Sequence, residues 1–273
     1  MKHPALILAV TVLAGCTATL ATGDQGNADA AREAAMAKYD FGKPYIGGPL
    51  PGGADLVPPP PAAGSPMEQR DQQANETALA LQGSARWALA ARDADLTRGA
   101  IGRAFSCAAG LIISDETTPR LAHLLRRAGT DFAFSTSGVK ELYQRPRPFM
   151  VNQQPSCTPQ EEEALRGNGA YPSGHSAMGY GEGLVLASIL PERAATLVAR
   201  GRAFGDSRRV CNIHWLSDVE EGRVIATATF ARMQTNADFR ADVAAARAEI
   251  AELGEGAAKP QNCEAEAATL ADG

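Results

Sequence analysis

Helical periodicity runs through this chain from Met67 to about Leu253 and constrains the fold more than any other feature. Apolar residues recur there at the three- and four-residue spacing of amphipathic helices, and no stretch shows the alternation of a half-buried strand. The chain is rich in alanine and only 5% aromatic, which suits helices. Its 273 residues suffice for one large domain or two small ones. We therefore expect an all-α fold.

Prolines and capping residues divide this helical pattern. Thr118 and Pro119 form a favourable helix start, and the long helix that begins there should turn Leu142 toward the core and end or bend before Pro146. The other expected helices cover residues 68–81, a segment around Trp87 and Leu89, and residues 101–111, 176–190, 192–208, 218–233 and 237–253. Residues 150–170 are polar and should form a loop.

The N-terminal residues 1–16 have the pattern of a targeting segment. A short positive start precedes an apolar run that is too short to span a bilayer. The run ends in Leu-Ala-Gly-Cys16, which resembles a bacterial lipobox and predicts cleavage before Cys16, lipid on that residue, and anchoring to the outer membrane in the periplasm. The alternative is an ordinary signal peptide cleaved near Ala21. Both interpretations predict an exported protein.

Two segments outside the helical part should carry little regular structure. Residues 17–54 are expected to be a tether or linker, and residues 254–273 a loose C-terminal tail. Residues 41–66 hold eight of the 17 prolines. That composition predicts extended polyproline structure, either as a free linker or as a strap across the core.

Four cysteines remain when Cys16 is set aside: Cys107, Cys157, Cys211 and Cys263. An even number in an exported protein predicts two disulfides, for which three connectivities are open. Buried free thiols are the alternative. Metal binding is less favoured because no two of these cysteines have close ligand spacing.

Three basic residues lie in the sequence segments around two histidines. The formal net charge is −5 and no dense basic run occurs, so no nucleic-acid partner is expected. Lys140 and Arg147 are seven residues apart, which would place them on one face if the helix bends only mildly. With Arg208 they supply three fixed cations. Such a set describes a site for a multiply charged oxyanion.

Each of the two histidines stands at an expected helix start. His175 follows Pro-Ser-Gly, where Gly174 lets the backbone approach a ligand and the free N–H groups of a first helical turn favour an anion. His214 and Asp218 are i, i+4 partners. That spacing lets the carboxylate hold one imidazole nitrogen and leave the other free to react.

These residues form three blocks that resemble a known family. Lys140-X6-Arg147-Pro, Pro-Ser173-Gly174-His175 and Ser-Arg208-X5-His214-X3-Asp218 match all eleven specified positions of the phosphatidic acid phosphatase type 2 superfamily signature. The segment from Gly169 to Ser176 is similar to the tighter signature of bacterial class A non-specific acid phosphatases. Ala170 and Ser176 are small departures from it. The resemblance covers about residues 55–250.

The resemblance implies a fold, an activity and a role for each residue of the blocks. The fold would be a single helical-bundle domain of the type shared with vanadium haloperoxidases, over residues 55–253. His214 would attack phosphorus and form a phosphohistidine, Asp218 would orient it, and His175 would serve as general acid and base. The groups expected to hold phosphate are Lys140, Arg147, Ser173, Gly174 and Arg208. No metal and no cofactor would be required, and the partner would be a small phosphomonoester.

Three further expectations follow once the blocks are placed. Cys157 and Cys211 both lie near the site, so a bond between them would fix the loop that carries His214, which leaves Cys107 to pair with Cys263.

Homo-oligomers are common in the family, although nothing here identifies an interface. The competing functions are a vanadium-dependent haloperoxidase, a lipid phosphatase and a non-catalytic phosphate-binding lipoprotein.

Overall fold

A computed structural model describes Tyr39, residues 41–46 and residues 48–271. The expected signal peptide, the lipidation site Cys16 and the first part of the tether lie outside these residues. The described part is helical and contains no strand, as the periodicity predicts. None of its helices is both long and apolar enough to cross a membrane.

Twelve α-helices occur in residues 48–271. They are α1 (Pro66–Leu79), α2 (Ala85–Asp93), α3 (Ala100–Ala109), α4 (Pro119–Phe134), α5 (Ser137–Tyr143), α6 (Pro148–Asn152), α7 (Glu162–Arg166), α8 (Gly174–Ile189), α9 (Ala194–Val210), α10 (Leu216–Met233), α11 (Ala237–Leu253) and α12 (Cys263–Ala271). Side-chain caps explain several starts: Ser65, Ser84, Ser173 and Asn236 each accept a hydrogen bond from the first turn of the helix that follows.

Helix α8 lies at the centre of the bundle and packs against α4, α9 and α10. Its glycines allow this close packing: a Cβ on Gly179 would stand 2.3 Å from the Phe204 ring, and one on Gly181 would stand 2.4 Å from the Phe132 ring. A helix that neighbours enclose has no side facing solvent, and the sequence of α8 is accordingly apolar around almost its whole circumference. The N-terminus of this helix carries His175.

The Pro-rich segment is a strap across the core, so the linker expected over residues 17–54 is wrong for residues 41–46 and 48–54. Tyr45 and Ile46 are buried in the main apolar cluster. The backbone N–H of Tyr45 donates to buried Asp131 of α4 at 2.7 Å. The packed domain therefore begins before residue 55, because this segment supplies core side chains and satisfies a buried carboxylate.

The C-terminal tail is also more ordered than the sequence predicts. Residues 263–271 form α12, which packs against α2 and is tied to α3 by the disulfide Cys107–Cys263. Glu266 of this helix lies 3.3 Å from Arg200 in α9. These contacts correct the expectation of a loose tail for this stretch.

The long helix from Pro119 is interrupted ten residues before Pro146. Helix α4 ends at Phe134 and α5 begins at Ser137, and Gln144 ends α5 in the left-handed region with φ 43°. Leu142 is 61% exposed, so its expected core position is wrong. The polar loop expected over residues 150–170 instead contains the short helix α7 and part of α6.

The second disulfide joins Cys157 to Cys211, with their Cα atoms 4.7 Å apart. Both bonds therefore have the pairing that the positions of the blocks suggested. Cys211 directly follows α9, which carries Arg208, and lies three residues before His214. The bridge thus fastens the segment after α6 to the segment that leads into the site.

Candidate active site

A cavity of about 220 Å³ lies at the N-terminal end of α8. Six of the eight residues expected in the site line it: Lys140, Arg147, Gly174, His175, Arg208 and His214. Ser173 and Asp218 do not line this cavity and make contacts behind its wall. The structure therefore brings together residues that lie as far apart along the chain as Lys140 and His214.

His214 is held by Asp218 from the start of α10. The Oδ2 atom of Asp218 accepts a hydrogen bond from the backbone N–H of Trp215 at 2.8 Å and lies 3.3 Å from Nδ1 of His214. His214 precedes the N-terminal cap of α10, so the two residues do not share a helical turn as expected. The carboxylate of Asp218 instead extends back from the first turn of α10 and accepts a hydrogen bond from Nδ1–H of His214.

The other ring nitrogen of His214 faces a cation. Nε2 lies 3.1 Å from Nη1 of Arg147, and a guanidinium can only donate, so Nε2 carries the lone pair. Burial lowers the pKa of His214 well below 6.5, and the charges of Arg147 and Lys140 lower it further. The ring is therefore neutral, with its unprotonated nitrogen turned toward the cavity cations. A nucleophilic imidazole requires this protonation state.

His175 has the complementary arrangement. Its Nε2 lies 3.1 Å from the carbonyl oxygen of Ala94, which can only accept, so Nε2 carries a proton and Nδ1 is the site for a second one. Burial, followed by the charge of Arg208, lowers the pKa of His175 well below 6.5. A bound dianion would offset the nearby cations and raise this pKa again.

Arg208 makes few hydrogen bonds within the described residues. It is 1% exposed, and its Nε donates to no atom of the described residues. Its Nη1 has only a weak contact with Sγ of Cys211 at 4.0 Å. Burial lowers the pKa of Arg208 to about 10. A buried, charged guanidinium whose N–H groups have so few hydrogen-bond acceptors indicates an anion site.

Lys140 and Arg147 complete the set of cations but do not share a helical face. Helix α5 ends at Tyr143, and Arg147 is the N-terminal cap residue of α6. The turn between them brings both side chains to the cavity, where Nζ of Lys140 donates to the Gly169 carbonyl oxygen at 2.7 Å. Burial and the charge of Arg147 lower the pKa of Lys140. Burial, then Arg208, lowers the pKa of Arg147 to about 10.

The Pro-Ser-Gly turn has two different roles. Gly174 lines the cavity at the first position of α8. Ser173 does not line it: its Oγ accepts from the backbone N–H of Ser176 at 3.2 Å, and its own N–H donates to the backbone oxygen of Asp218 at 2.8 Å. Ser173 therefore caps α8 and joins it to α10, which fixes the two histidines relative to each other.

Arg145 belongs to the site although sequence reasoning did not assign it. Its Nη1 donates to Oδ1 of Asp218 at 2.6 Å, and its Nη2 donates to Oδ2 of buried Asp71 at 2.8 Å. Asp71 also accepts from the backbone N–H of Ser217. Burial raises the pKa of Asp218, and Arg145 is the largest opposing influence. Arg145 lies inside the first block, at a position the signature leaves unspecified.

Thr136 is a second residue that the sequence did not signal. Its Oγ1 is buried, lines the cavity wall and has no hydrogen-bond partner among the described residues. It lies 3.3 Å from the point where a Cβ on Gly174 would be. The hydroxyl is thus available to an anion bound at the start of α8.

Two tyrosines and a third histidine, which belong to the same part of the sequence, lie outside the cavity. Tyr171 is buried and donates from its hydroxyl to the Pro58 carbonyl oxygen at 2.7 Å, and Tyr143 packs edge-on against it. His123 is exposed on α4. Within the described residues, no three His, Cys, Asp or Glu side chains group as metal ligands would.

Comparison with known proteins agrees with the blocks. Residues 124–239 match the PAP2 superfamily. An acid phosphatase of Zymomonas mobilis is 41% identical over 192 residues, which cover 70% of this chain and 73% of that protein. Non-specific acid phosphatases of Salmonella typhimurium and Providencia stuartii are 40% and 37% identical, over 71% and 72% of this chain and 78% and 80% of theirs. The chain belongs to the PAP2 superfamily, within its group of bacterial acid phosphatases.

Proposed function

We propose that the protein is a metal-independent acid phosphatase that hydrolyses phosphomonoesters through a phosphohistidine intermediate. The observation that carries this proposal is the His214 ring, whose Nδ1 is held by Asp218 and whose Nε2 lone pair lies 3.1 Å from Arg147. A site that only bound phosphate would need cations and N–H donors. It would not need a buried histidine oriented by a carboxylate.

In the first step the phosphate dianion occupies the cavity among Lys140, Arg147 and Arg208. Nε2 of His214 forms a bond to phosphorus as the ester P–O bond breaks. The leaving oxygen takes a proton from Nδ1 of His175, which the bound dianion has made basic enough to be protonated. The imidazolium that forms on His214 is stabilised by Asp218, and Arg145 keeps that carboxylate ionised.

In the second step the neutral His175 removes a proton from water. The hydroxide attacks phosphorus, the P–N bond breaks, and His214 regains its lone pair while inorganic phosphate leaves. Phosphoryl transfer depends mainly on positioning and on charge stabilisation. The three cations supply that stabilisation, which is the physical support for independence from a metal ion.

We also propose that the protein is exported to the periplasm and held to the outer membrane by lipid on Cys16. The N-terminal pattern and the two disulfides, which form in oxidising compartments, support this proposal. Labelling cells with radioactive palmitate tests it: label should enter the natural chain and be absent from a Cys16→Ala variant. Equal labelling of both chains would contradict it.

One activity assay separates the candidate functions. Release of phosphate from p-nitrophenyl phosphate should continue in excess chelator and be lost in His214→Ala. A haloperoxidase would instead brominate a phenol when vanadate, bromide and peroxide are added. Activity that disappears with chelator and returns with a divalent cation would overturn the metal-independent mechanism.

A further inference from the structure

A second, smaller cavity of about 50 Å³ adjoins the active-site cavity. Four side chains form walls of both: Tyr39, Phe41, Leu96 and Met178. The smaller cavity has room for about three or four water molecules or for the end of an organic group. It therefore lies where part of a bound ester could extend beyond the phosphate.

Glu182 is among the residues that line the smaller cavity, and the mechanism does not use its carboxyl group. Glu182 of α8 is fully buried, and neither of its side-chain oxygens has a hydrogen-bond partner among the described residues. A buried polar group left unpaired is costly and requires an explanation. Burial raises the pKa of Glu182 well above 4.5, which favours the protonated acid, the form that can donate a hydrogen bond.

Helix geometry connects Glu182 to the reaction centre. His175, Met178 and Glu182 follow one another at i, i+3 and i+7 on α8, so they share a face. Seven residues of helix span about 10 Å, the length of a bicyclic aromatic alcohol joined to phosphate. Gly129 of α4 leaves space for the acid, because a Cβ there would stand 3.0 Å from Oε1 of Glu182.

We propose that the smaller cavity binds the far end of the leaving group and that Glu182 donates a hydrogen bond to a neutral oxygen there. The inference rests on the proposed phosphatase function and adds a substrate class: phosphomonoesters of apolar, chiefly aromatic alcohols that carry a carbonyl or hydroxyl oxygen far from phosphorus. Water alone in this cavity would give no such preference.

The charges around the cavity favour a neutral group. Its rim carries Arg98 and Arg126, both ion-paired with Asp115. A cationic ligand would meet these arginines as well as the three cations of the main cavity. A second anionic group would lose its hydration beside an apolar wall, where Arg98 and Arg126 are already paired with Asp115. A neutral oxygen acceptor incurs neither cost.

Two esters of similar shape test the proposal. Umbelliferyl phosphate has a ring carbonyl at the end far from the phosphate, whereas 2-naphthyl phosphate has none. Glu182→Leu should lower kcat/KM for umbelliferyl phosphate about five- to tenfold relative to 2-naphthyl phosphate, the worth of one hydrogen bond. Glu182→Gln keeps a donor and should retain most of the preference. Ala122→Leu, which narrows the same cavity, should weaken both bicyclic esters but not phenyl phosphate.

Binding measurements keep this test separate from the proposed function. Dissociation constants of both esters, measured by fluorescence in a His214→Ala background, should show the same selective loss on adding Glu182→Leu. Equal effects on the two esters, in binding and in kcat/KM, would overturn the subsite. If the natural chain did not hydrolyse phenyl phosphate at all, the proposed function would fail, and the binding comparison would still decide for or against the subsite.

Discussion

Replacing Arg145 by methionine tests whether the charge behind the nucleophile matters as the structure implies. The change leaves Asp218 and Asp71, which are 0% and 1% exposed, without their shared cation. Removing one partner of a buried ion pair typically costs about 3–5 kcal/mol of unfolding free energy. We expect a loss of that size in urea unfolding at pH 7.

The catalytic effect follows from one hydrogen bond. The contact from Arg145 to Asp218 is 2.6 Å long, and a hydrogen bond to a charged group contributes about 1.5–3 kcal/mol. Without it we expect kcat for p-nitrophenyl phosphate to fall by about 10- to 100-fold. Because Asp218 must be ionised to stabilise the imidazolium, and its pKa rises when Arg145 is lost, the acid limb of the kcat/KM profile should move to higher pH.

Arg70 supplies a matched control. It makes a bidentate pair with Glu220 of α10, at 2.7 and 2.6 Å, but the two side chains are 45% and 34% exposed. Arg70→Met should cost no more than about 1 kcal/mol and leave the pH profile unchanged. The reasoning is refuted if Arg145→Met is as stable as Arg70→Met and its acid limb does not move.

Three other measurements follow from the buried groups. Because burial raises the folded-state pKa of Glu182 above 4.5, the folded protein keeps a proton that the unfolded chain releases. The unfolding free energy of the natural chain, relative to that of Glu182→Gln, should therefore fall as pH rises above about 4.5. Parallel curves of unfolding free energy against pH would contradict this. Sulfate stays a dianion between pH 5 and 7, so proton uptake on its binding, measured by calorimetry in two buffers, should occur in the natural chain and be smaller in His175→Gln; equal uptake would count against His175 as the acid. Replacing Cys157 and Cys211 by serine opens a loop with a sequence separation of 54 and should lower the unfolding free energy by about 4 kcal/mol, and no change would show that the bridge adds no constraint.

Local signals in the sequence predicted the helices well. The apolar periodicity placed α11 over residues 237–253, which are the bounds observed. Proline and glycine placed the start of α8 within two residues. Local patterns could not show the break at Ser135, since α4 ends there without proline or glycine.

Contacts between residues far apart along the chain could not be predicted from the sequence. Nothing near Tyr45 shows that its backbone N–H would meet Asp131, 86 residues away, so composition alone described a strap and a linker equally well. The same holds for the site. The three blocks identified the cations and histidines, because their spacing is fixed locally, whereas the pairing of Arg145 with Asp71 depends on α1 packing against α10.

Trapping the covalent intermediate tests the central claim most directly. The protein would be mixed with ³²P-labelled p-nitrophenyl phosphate and quenched in alkali within milliseconds, because phosphohistidine is stable in base, and the labelled peptide would then be sequenced. We predict label on His214 in the natural chain, none in His214→Ala, and accumulation in His175→Ala, since nitrophenolate leaves without a proton while hydrolysis lacks its base. Label on His175, or unimpaired turnover by His214→Ala, would contradict the account.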